Sequence, residues 1–417
     1  MSTIMVGNIK FPYRTIRDID VRDRQVLLRA GYNVPLKKDG TIADDFRVEM
    51  SLPTIKYLLN RGAKVVIISH LGRPKGEVDE KLSLSQVAKN LSRKLNQPVK
   101  FLENCVGEEV QMTTNKMACG DVVMLENLRF HPEEEKNDRK FAQELAKSSN
   151  ADLFVQDAFA DTHRAHASTS AITEFLPAVA GFLVEREYTE LKSAIEDPNR
   201  PLTTVIGGAK ISDKIPLIEK FIDMSDNIIV GGAIANNFLK YDGLNVADSK
   251  IEVDADDTVK VILEKAEGKF GGDYSDKFHT PKDVAISEDG DAWSSRVNME
   301  LENLSNLNSK SKIFDIGEKT IEEIVKVIES SGTVIWNGTL GFAENPEFAH
   351  GSARVAMALA THPKIMSIIG GGDTADFVRS WDVLKGGSFT HVSTGGGASL
   401  ELLAGSTLPG IAVLMAR

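Results

Sequence analysis

Arginines recur at four places in the first half of the chain, each just beyond an apolar run. Arg47 follows Asn33 after a turn, Arg73 closes His70-Leu71-Gly72-Arg73, Arg129 closes Asn127-Leu128-Arg129, and Arg164 lies between Asp157 and His166. Any one of them could be a surface ion pair or a snorkelling side chain. As a set they suit another task, because the planar guanidinium stays charged and offers paired donors to phosphate and carboxylate. The spacing predicts a site for a small phosphorylated acid. His70, His163 and His166 add donors to the same loops; His163-x-x-His166 could instead be a metal pair, but no third ligand or Cys accompanies it.

The second half is rich in glycine at corresponding places: Gly207-Gly208-Ala209-Lys210, Gly231-Gly232, Gly338 with Gly341, Gly370-Gly371-Gly372-Asp373 and Gly395-Gly396-Gly397. Glycine lets backbone amides approach a phosphate closely, and a loop of this kind that opens a helix makes an anion site; the plainer alternative is a tight turn. Lys210 and Lys214 are spaced i,i+4, so on a helix starting after Gly208 both would project from one face, toward phosphates or simply toward solvent. Asp373 suits a magnesium ion held with nucleotide phosphates, or a helix N-cap. Neither G-x-x-x-x-G-K-[ST] nor G-x-G-x-x-G occurs, which argues against a P-loop kinase and a nicotinamide dehydrogenase.

The elements that must position these residues are short β-branched runs alternating with amphipathic stretches, the pattern of parallel strands joined by crossover helices. Strands are predicted at 25–29, 64–69, 121–126 and 153–156, and again at 202–206, 227–230, 333–336 and 365–369. Val48, Leu52, Ile55, Leu58 and Leu59 share one helical face, with Gly62 placed for a C-terminal cap. A connecting helix is expected over 185–196, where Tyr188, Leu191 and Ile195 fall at helical spacing. The fold class is therefore α/β: two doubly wound, Rossmann-like parallel-sheet domains joined by a helix, with ligands in an interdomain cleft beyond the carboxyl ends of the strands. The polar stretch 268–308 reads as a surface excursion without chemistry.

Bulk properties narrow the classes. A chain of 417 residues exceeds the size at which one core stops growing, so two domains are expected. With 42% apolar and 26% charged residues it reads as an ordinary soluble protein, and a net charge of −11 argues against nucleic-acid binding. No apolar run reaches the roughly 18 residues of a membrane helix, and Met1 to Thr15 lacks a signal-peptide core. A cytoplasmic protein with no membrane partner is expected. Cys105 and Cys119 match no redox or zinc spacing, and both are expected to be buried thiols.

Taken together the motifs resemble the phosphoglycerate kinase family over nearly the whole chain. They stand as Asn33-Val34-Pro35, Asp44-Asp45-Phe46-Arg47, SHLGRPKG over 69–76, ENLRFHPEEE over 126–135, His163-Arg164-Ala165-His166, GGAKISDKI over 207–215, Trp336-Asn337-Gly338, GGGDT over 370–374 and STGGGASLE over 393–401. The resemblance implies a phosphoglycerate-binding domain at 1–184, a nucleotide-binding domain at 185–400, and a segment 401–417 returning to the first. It implies that Gly31, Asn33, Arg47, His70, Leu71, Gly72, Arg73, Arg129 and Arg164 line the phosphoglycerate site. Lys210, Lys214, Asn337, Glu344, Gly371, Gly372, Asp373 and Thr374 would hold ADP or ATP, with Asp373 on Mg2+. Arg47, Lys210, Gly395, Gly396 and Gly397 would stabilise the transferring phosphoryl group. Small-molecule substrates and a monomer are expected.

Four positions in three places depart from the family pattern. Gly31 stands where the family has the Asp of Asp-x-Asn-x-Pro, Thr339 replaces a proline, and Phe342-Ala343 replaces Val-Phe. Gly31 removes an acceptor for a substrate hydroxyl, worth about 0.5 to 3 kcal/mol. It opens the alternative of a weakened or inactive homologue that binds without efficient turnover.

Overall fold

Where the chain carries runs such as Val65-Val66-Ile67-Ile68, the backbone is extended and buried along its length. In the structure, a computed structural model that describes residues 9–416, these runs form the centres of two parallel sheets. The first contains β1 (Gln25–Ala30), β2 (Lys64–Ile68), β3 (Lys100–Leu102), β4 (Val122–Leu125), β5 (Leu153–Asp157) and β6 (Ala178–Ala180) in the order β3-β4-β2-β1-β5-β6. Its neighbours are parallel throughout, with Leu28 opposite Ile67 on one side and Val155 on the other. Parallel strands are covered on both faces, so they read as continuous apolar runs. Arg29 is the exception inside β1, and it is fully buried.

The helix Phe46–Asn60 between β1 and β2 buries Val48, Ile55 and Leu58 against this sheet and ends at Arg61, with Gly62 at a φ of +76°. Only glycine adopts that conformation without strain. Shortening Leu58 to Ala would open a cavity costing about 2 to 5 kcal/mol.

The chain divides into two units, Lys10–Thr189 with residues 407–416, and Glu190–Ser406. The division falls inside the helix Phe182–Glu196, which begins three residues before the expected 185. In the first unit the terminal segment is tied down by Gly410 N to Thr162 O at 2.8 Å, Met415 N to Ala178 O at 3.0 Å and Arg14 N to Met415 O at 2.8 Å.

The second unit is built on β7 (Leu202–Ile206), β8 (Asn227–Val230), β9 (Phe278–His279), β10 (Asp283–Ser287), β11 (Val297–Glu300), β12 (Lys312–Ile316), β13 (Thr333–Asn337), β14 (Met366–Gly370) and β15 (His391–Val392). Six of these form a parallel sheet in the order β15-β14-β13-β7-β8-β9, and the other three an antiparallel sheet in the order β11-β10-β12.

That antiparallel sheet corrects the reading of 268–308. Val284, Ile286 and Leu304 pack with Leu239, Val246 and Ile313 into a separate apolar cluster. Its strands are short and broken by Asp, Ser and Glu, so alternation is too brief to stand out from a polar background. A second correction concerns Cys119, which is exposed in the turn before β4, its Sγ donating to Asp23 Oδ1 at 3.0 Å; Cys105 is buried. No helix among the described residues is long and apolar enough to cross a membrane.

Candidate functional site

In the first sheet β4, β2, β1 and β5 are consecutive neighbours, so parallel pairing brings their carboxyl ends to one edge. The arginine-bearing loops leave from that edge. Asn33 Oδ1 accepts from Gly72 N at 2.9 Å, and Arg129 Nη1 donates to Gly72 O at 3.0 Å, joining the loops after β1, β2 and β4. Asn127 donates to Leu71 O at 2.7 Å. Gly72 has a φ of +65°, and a Cβ there would lie 2.7 Å from Leu82, so the turn requires glycine. Arg47 lies in the first turn of the helix Phe46–Asn60, half-buried; Arg73 and Arg164 are exposed. None of these three has an ion-pair partner among the described residues.

Beneath this rim lies a buried polar network. Arg29 donates through Nε to Ser168 Oγ at 2.9 Å and through Nη2 to His70 Nδ1 at 3.0 Å, with Asp161 Oδ2 3.1 Å away. Ser168 Oγ donates to the buried Glu134. Because Arg29 can only donate, His70 Nδ1 accepts, and the ring proton sits on Nε2. Burial pushes His70 down to about 3, so it is a neutral donor at physiological pH. Burial likewise pushes His166 down to about 4, helped by Arg29 and Arg129. For Asp161, burial opposes ionisation, but the guanidinium groups of Arg29, Arg129 and Arg47 outweigh it and hold the carboxyl well below the usual range, His70 adding to them only at acid pH where it is itself protonated. The rim therefore presents cations over neutral imidazoles, a setting for a small polyanion. No group of three His, Cys, Asp or Glu among the described residues could hold a metal, His163 and His166 included.

Arg29 and Asp161 were not singled out from the sequence. A signal existed, because a charge inside the apolar run Val26-Leu27-Leu28-Arg29-Ala30 must find a partner when buried. Gly31 is half-buried, and an added Cβ would sit 3.7 Å from Ala158 Cα and Cβ, ordinary van der Waals contact. The position has room for a side chain.

The second parallel sheet sends its five glycine loops from the carboxyl ends of β15, β14, β13, β7 and β8, again consecutive neighbours. They divide into two kinds. Gly207, Gly208, Gly231 and Gly232 spend their amides inside the protein, on Asn337 O, Thr339 O, Ile206 O and Leu340 O. A Cβ on Gly207 would lie 2.1 Å from Thr339 O, and one on Gly338 2.2 Å from Gly207 O. These glycines let three loops pack backbone to backbone.

The other two loops keep amides open, although Gly395 N is spent on Ser393 Oγ at 3.0 Å. Gly371 caps the helix Gly372–Trp381, and the amides of Gly372, Asp373 and Thr374 in its first turn have no acceptor among the described residues. Gly396, at a φ of +51°, precedes the short helix Gly397–Leu403. Asp373 lies exposed in the first helical turn rather than at the N-cap, while Thr374 is buried and accepts from Gly338 N at 2.7 Å.

Lys210 and Lys214 do not share a helix, since a 3-10 turn covers Ser212–Lys214 and the α-helix begins at Ile215. Pro216 cannot donate a backbone hydrogen bond, which favours a helix start there. Lys210 is exposed; Lys214 tucks its Nζ onto Gly207 O at 2.7 Å and Asn337 O at 3.2 Å. Burial pushes Lys214 down to about 8, with Asp373 and Asp213 pulling the other way. Asn337 is buried with its Nδ2 donor unpaired among the described residues, 3.0 Å from where a Gly371 Cβ would be. Lys214, Asn337 and the Gly371–Thr374 amides thus form one cluster of donors fit for phosphate oxygens. Glu344 lies apart, exposed in the loop after β13.

The phosphoglycerate kinase family model matches residues 16–406. A phosphoglycerate kinase of Coprothermobacter proteolyticus is 42% identical over 402 residues, covering 96% of this chain and 98% of its own. One of Dictyoglomus turgidum is 44% identical over 401 residues, covering 96% and 97%. Among solved structures, phosphoglycerate kinase from Coxiella burnetii superposes with a TM-score of 0.83 at 34% identity, and that from Pyrococcus horikoshii with 0.82 at 31%, each covering 96% of this chain and 98% of the other. With these matches spanning both sheets and both sets of loops, the chain belongs to the phosphoglycerate kinase family.

Proposed function

We propose that the chain transfers a phosphoryl group reversibly from 1,3-bisphosphoglycerate to MgADP, giving 3-phosphoglycerate and MgATP. The reading is carried by two differently built anion sites in one family member: an arginine rim on one sheet and a lysine, amide and open-glycine cluster on the other. In-line phosphoryl transfer needs positioning and charge stabilisation rather than a nucleophilic side chain. Asn33, His70, Arg73, Arg129 and Arg164, with the Leu71-Gly72 turn, orient the phosphoglycerate, and Arg47 neutralises charge on its acyl phosphate. Lys214, Asn337 and Gly371 to Thr374 hold the nucleotide phosphates, and Glu344 its sugar. Lys210 and the Gly395-Gly396-Gly397 turn, through the amides of Gly396 and Gly397, act on the transferring group.

Asp373 suits magnesium, because that ion takes one or two carboxylates and completes its shell with phosphate and water. Asp373 would hold it there, and the ion would supply positive charge against the nucleotide phosphates. The protein's own part is the exposed carboxylate beside the Gly372 and Thr374 amides. A small-molecule enzyme working as a cytoplasmic monomer is the setting this chemistry suits.

The purified chain, given 1,3-bisphosphoglycerate, ADP and magnesium, should form ATP in a coupled assay. No ATP at saturating substrates would refute the assignment.

A further inference from the structure

Glu344 sits exposed in the loop between β13 and the helix His350–Thr361, a segment with little regular structure of its own apart from a single 3-10 turn. The family resemblance places Glu344 on the nucleotide, where a carboxylate, which only accepts hydrogen bonds, can serve donors such as the ribose hydroxyls but not the phosphates. Such a contact needs a loop held still, and the holding group comes from the antiparallel sheet. Arg296, the residue just before β11, has a side chain only 5% exposed. Its Nη1 donates to Asp315 Oδ2 at 2.8 Å and to Glu347 O at 3.3 Å, and its Nη2 to Ile316 O at 2.9 Å. One guanidinium thus ties the backbone three residues beyond Glu344 to β12. Asp315 Oδ2 also accepts from Gly351 N at 3.0 Å. The connection between β10 and β11 supplies a second tether, with Asn345 Nδ2 donating to Ala292 O. On the other side of Glu344, Phe342 N donates to Phe314 O at 2.8 Å.

We propose that Arg296 is a positioning residue for nucleotide binding, bracing the 341–349 loop so that Glu344 meets the ribose hydroxyls of a nucleoside di- or triphosphate. This rests on the kinase reading above. Arg296→Lys is the informative change, because an ammonium still pairs with the buried Asp315 but cannot span Asp315, Ile316 and Glu347 at once. Asn345→Ala cuts the second tether without touching a buried charge, and Glu344→Ala removes the carboxylate itself.

Each variant is assayed with ADP and with 2′,3′-dideoxy-ADP. Loss of one hydrogen bond to a charged group should raise KM for ADP about tenfold in all three. For Arg296→Lys and Asn345→Ala, KM for 1,3-bisphosphoglycerate and kcat should stay within about twofold. With the dideoxy analogue the variants should match the parent, which a general loss of structure would not produce. If Glu344→Ala raises KM for ADP while Arg296→Lys and Asn345→Ala do not, the bracing role is overturned and the sugar contact stands. If Glu344→Ala also leaves KM unchanged, the sugar contact falls and the bracing role with it.

Discussion

Lys214 offers a sharp test of the nucleotide site, because its proton should be counted by calorimetry. Its amine is held by two carbonyls in a cradle of glycine loops, and burial lowers it from 10.5 to about 8. Near pH 8 about half of the free protein should therefore carry the neutral amine. A nucleotide polyphosphate beside Nζ favours the cation and pulls its value back up. Binding should then take up about half a proton near pH 8, nearly a full one near pH 9 and almost none near pH 6.5. Titration of MgADP in Tris and in EPPS, whose ionisation enthalpies differ, reads this number directly. Lys214→Met should abolish the uptake and weaken ADP binding by about tenfold or more, since a charge-assisted contact is worth roughly 1.5 to 3 kcal/mol. The substitution should leave the free protein's melting temperature little changed. It removes a costly buried cation but leaves Gly207 O without its donor, opposing effects each on the order of 1 to 3 kcal/mol. Equal proton uptake in the parent and Lys214→Met near pH 8 would refute the placement of phosphate at this amine.

Three further outcomes are expected. Gly31→Asp should fold normally, since its Cβ meets only Ala158 at 3.7 Å, and should lower KM for phosphoglycerate between about twofold and a hundredfold; an unchanged KM means the acceptor is not missed. Asp373→Asn should raise the magnesium concentration needed for half-maximal rate by about tenfold while leaving KM for phosphoglycerate alone, as a metering of rate against magnesium would show. Asp157, buried at the end of β5 and accepting from Leu183 N, is raised by burial from 3.8 to about 7. The native state then binds more protons than the unfolded chain between about pH 4 and pH 7, so its contribution to stability falls as pH rises through that window. Asp157→Asn should flatten the decline and stabilise the protein at neutral pH by up to about 4 kcal/mol, and thermal unfolding across pH 4 to 8 would contradict this if both proteins declined alike.

Much of this organisation was legible from one sequence. The strand carrying Leu202 and Ile206 and the one carrying Asn227 and Val230 lie where apolar runs predict them, because strands buried on both faces announce themselves by composition alone. The antiparallel sheet did not, since β10 and β11 carry Asp283, Ser287, Asn298 and Glu300 within four or five residues. Local spacing also misled at Lys210 and Lys214. Four residues between lysines promise a shared helical face only if a helix runs through both, and Pro216 favours a start after them.

The sequence by itself determined the kinds of donor, the strands that end beside them and the family, because these depend on residue type and order. Tertiary structure decided which groups are spent and which are available. Packing of three loops consumed the amides of Gly207, Gly208, Gly231 and Gly232, while those of Gly372 to Thr374 were left open at a helix start. Burial, which no local spacing encodes, made His70 a neutral donor, lowered Lys214 toward physiological pH and paired Arg29 with Asp161 under the rim. Proton affinity and hydrogen-bond capacity depend on neighbours distant in sequence, and those are chosen only when the chain has folded.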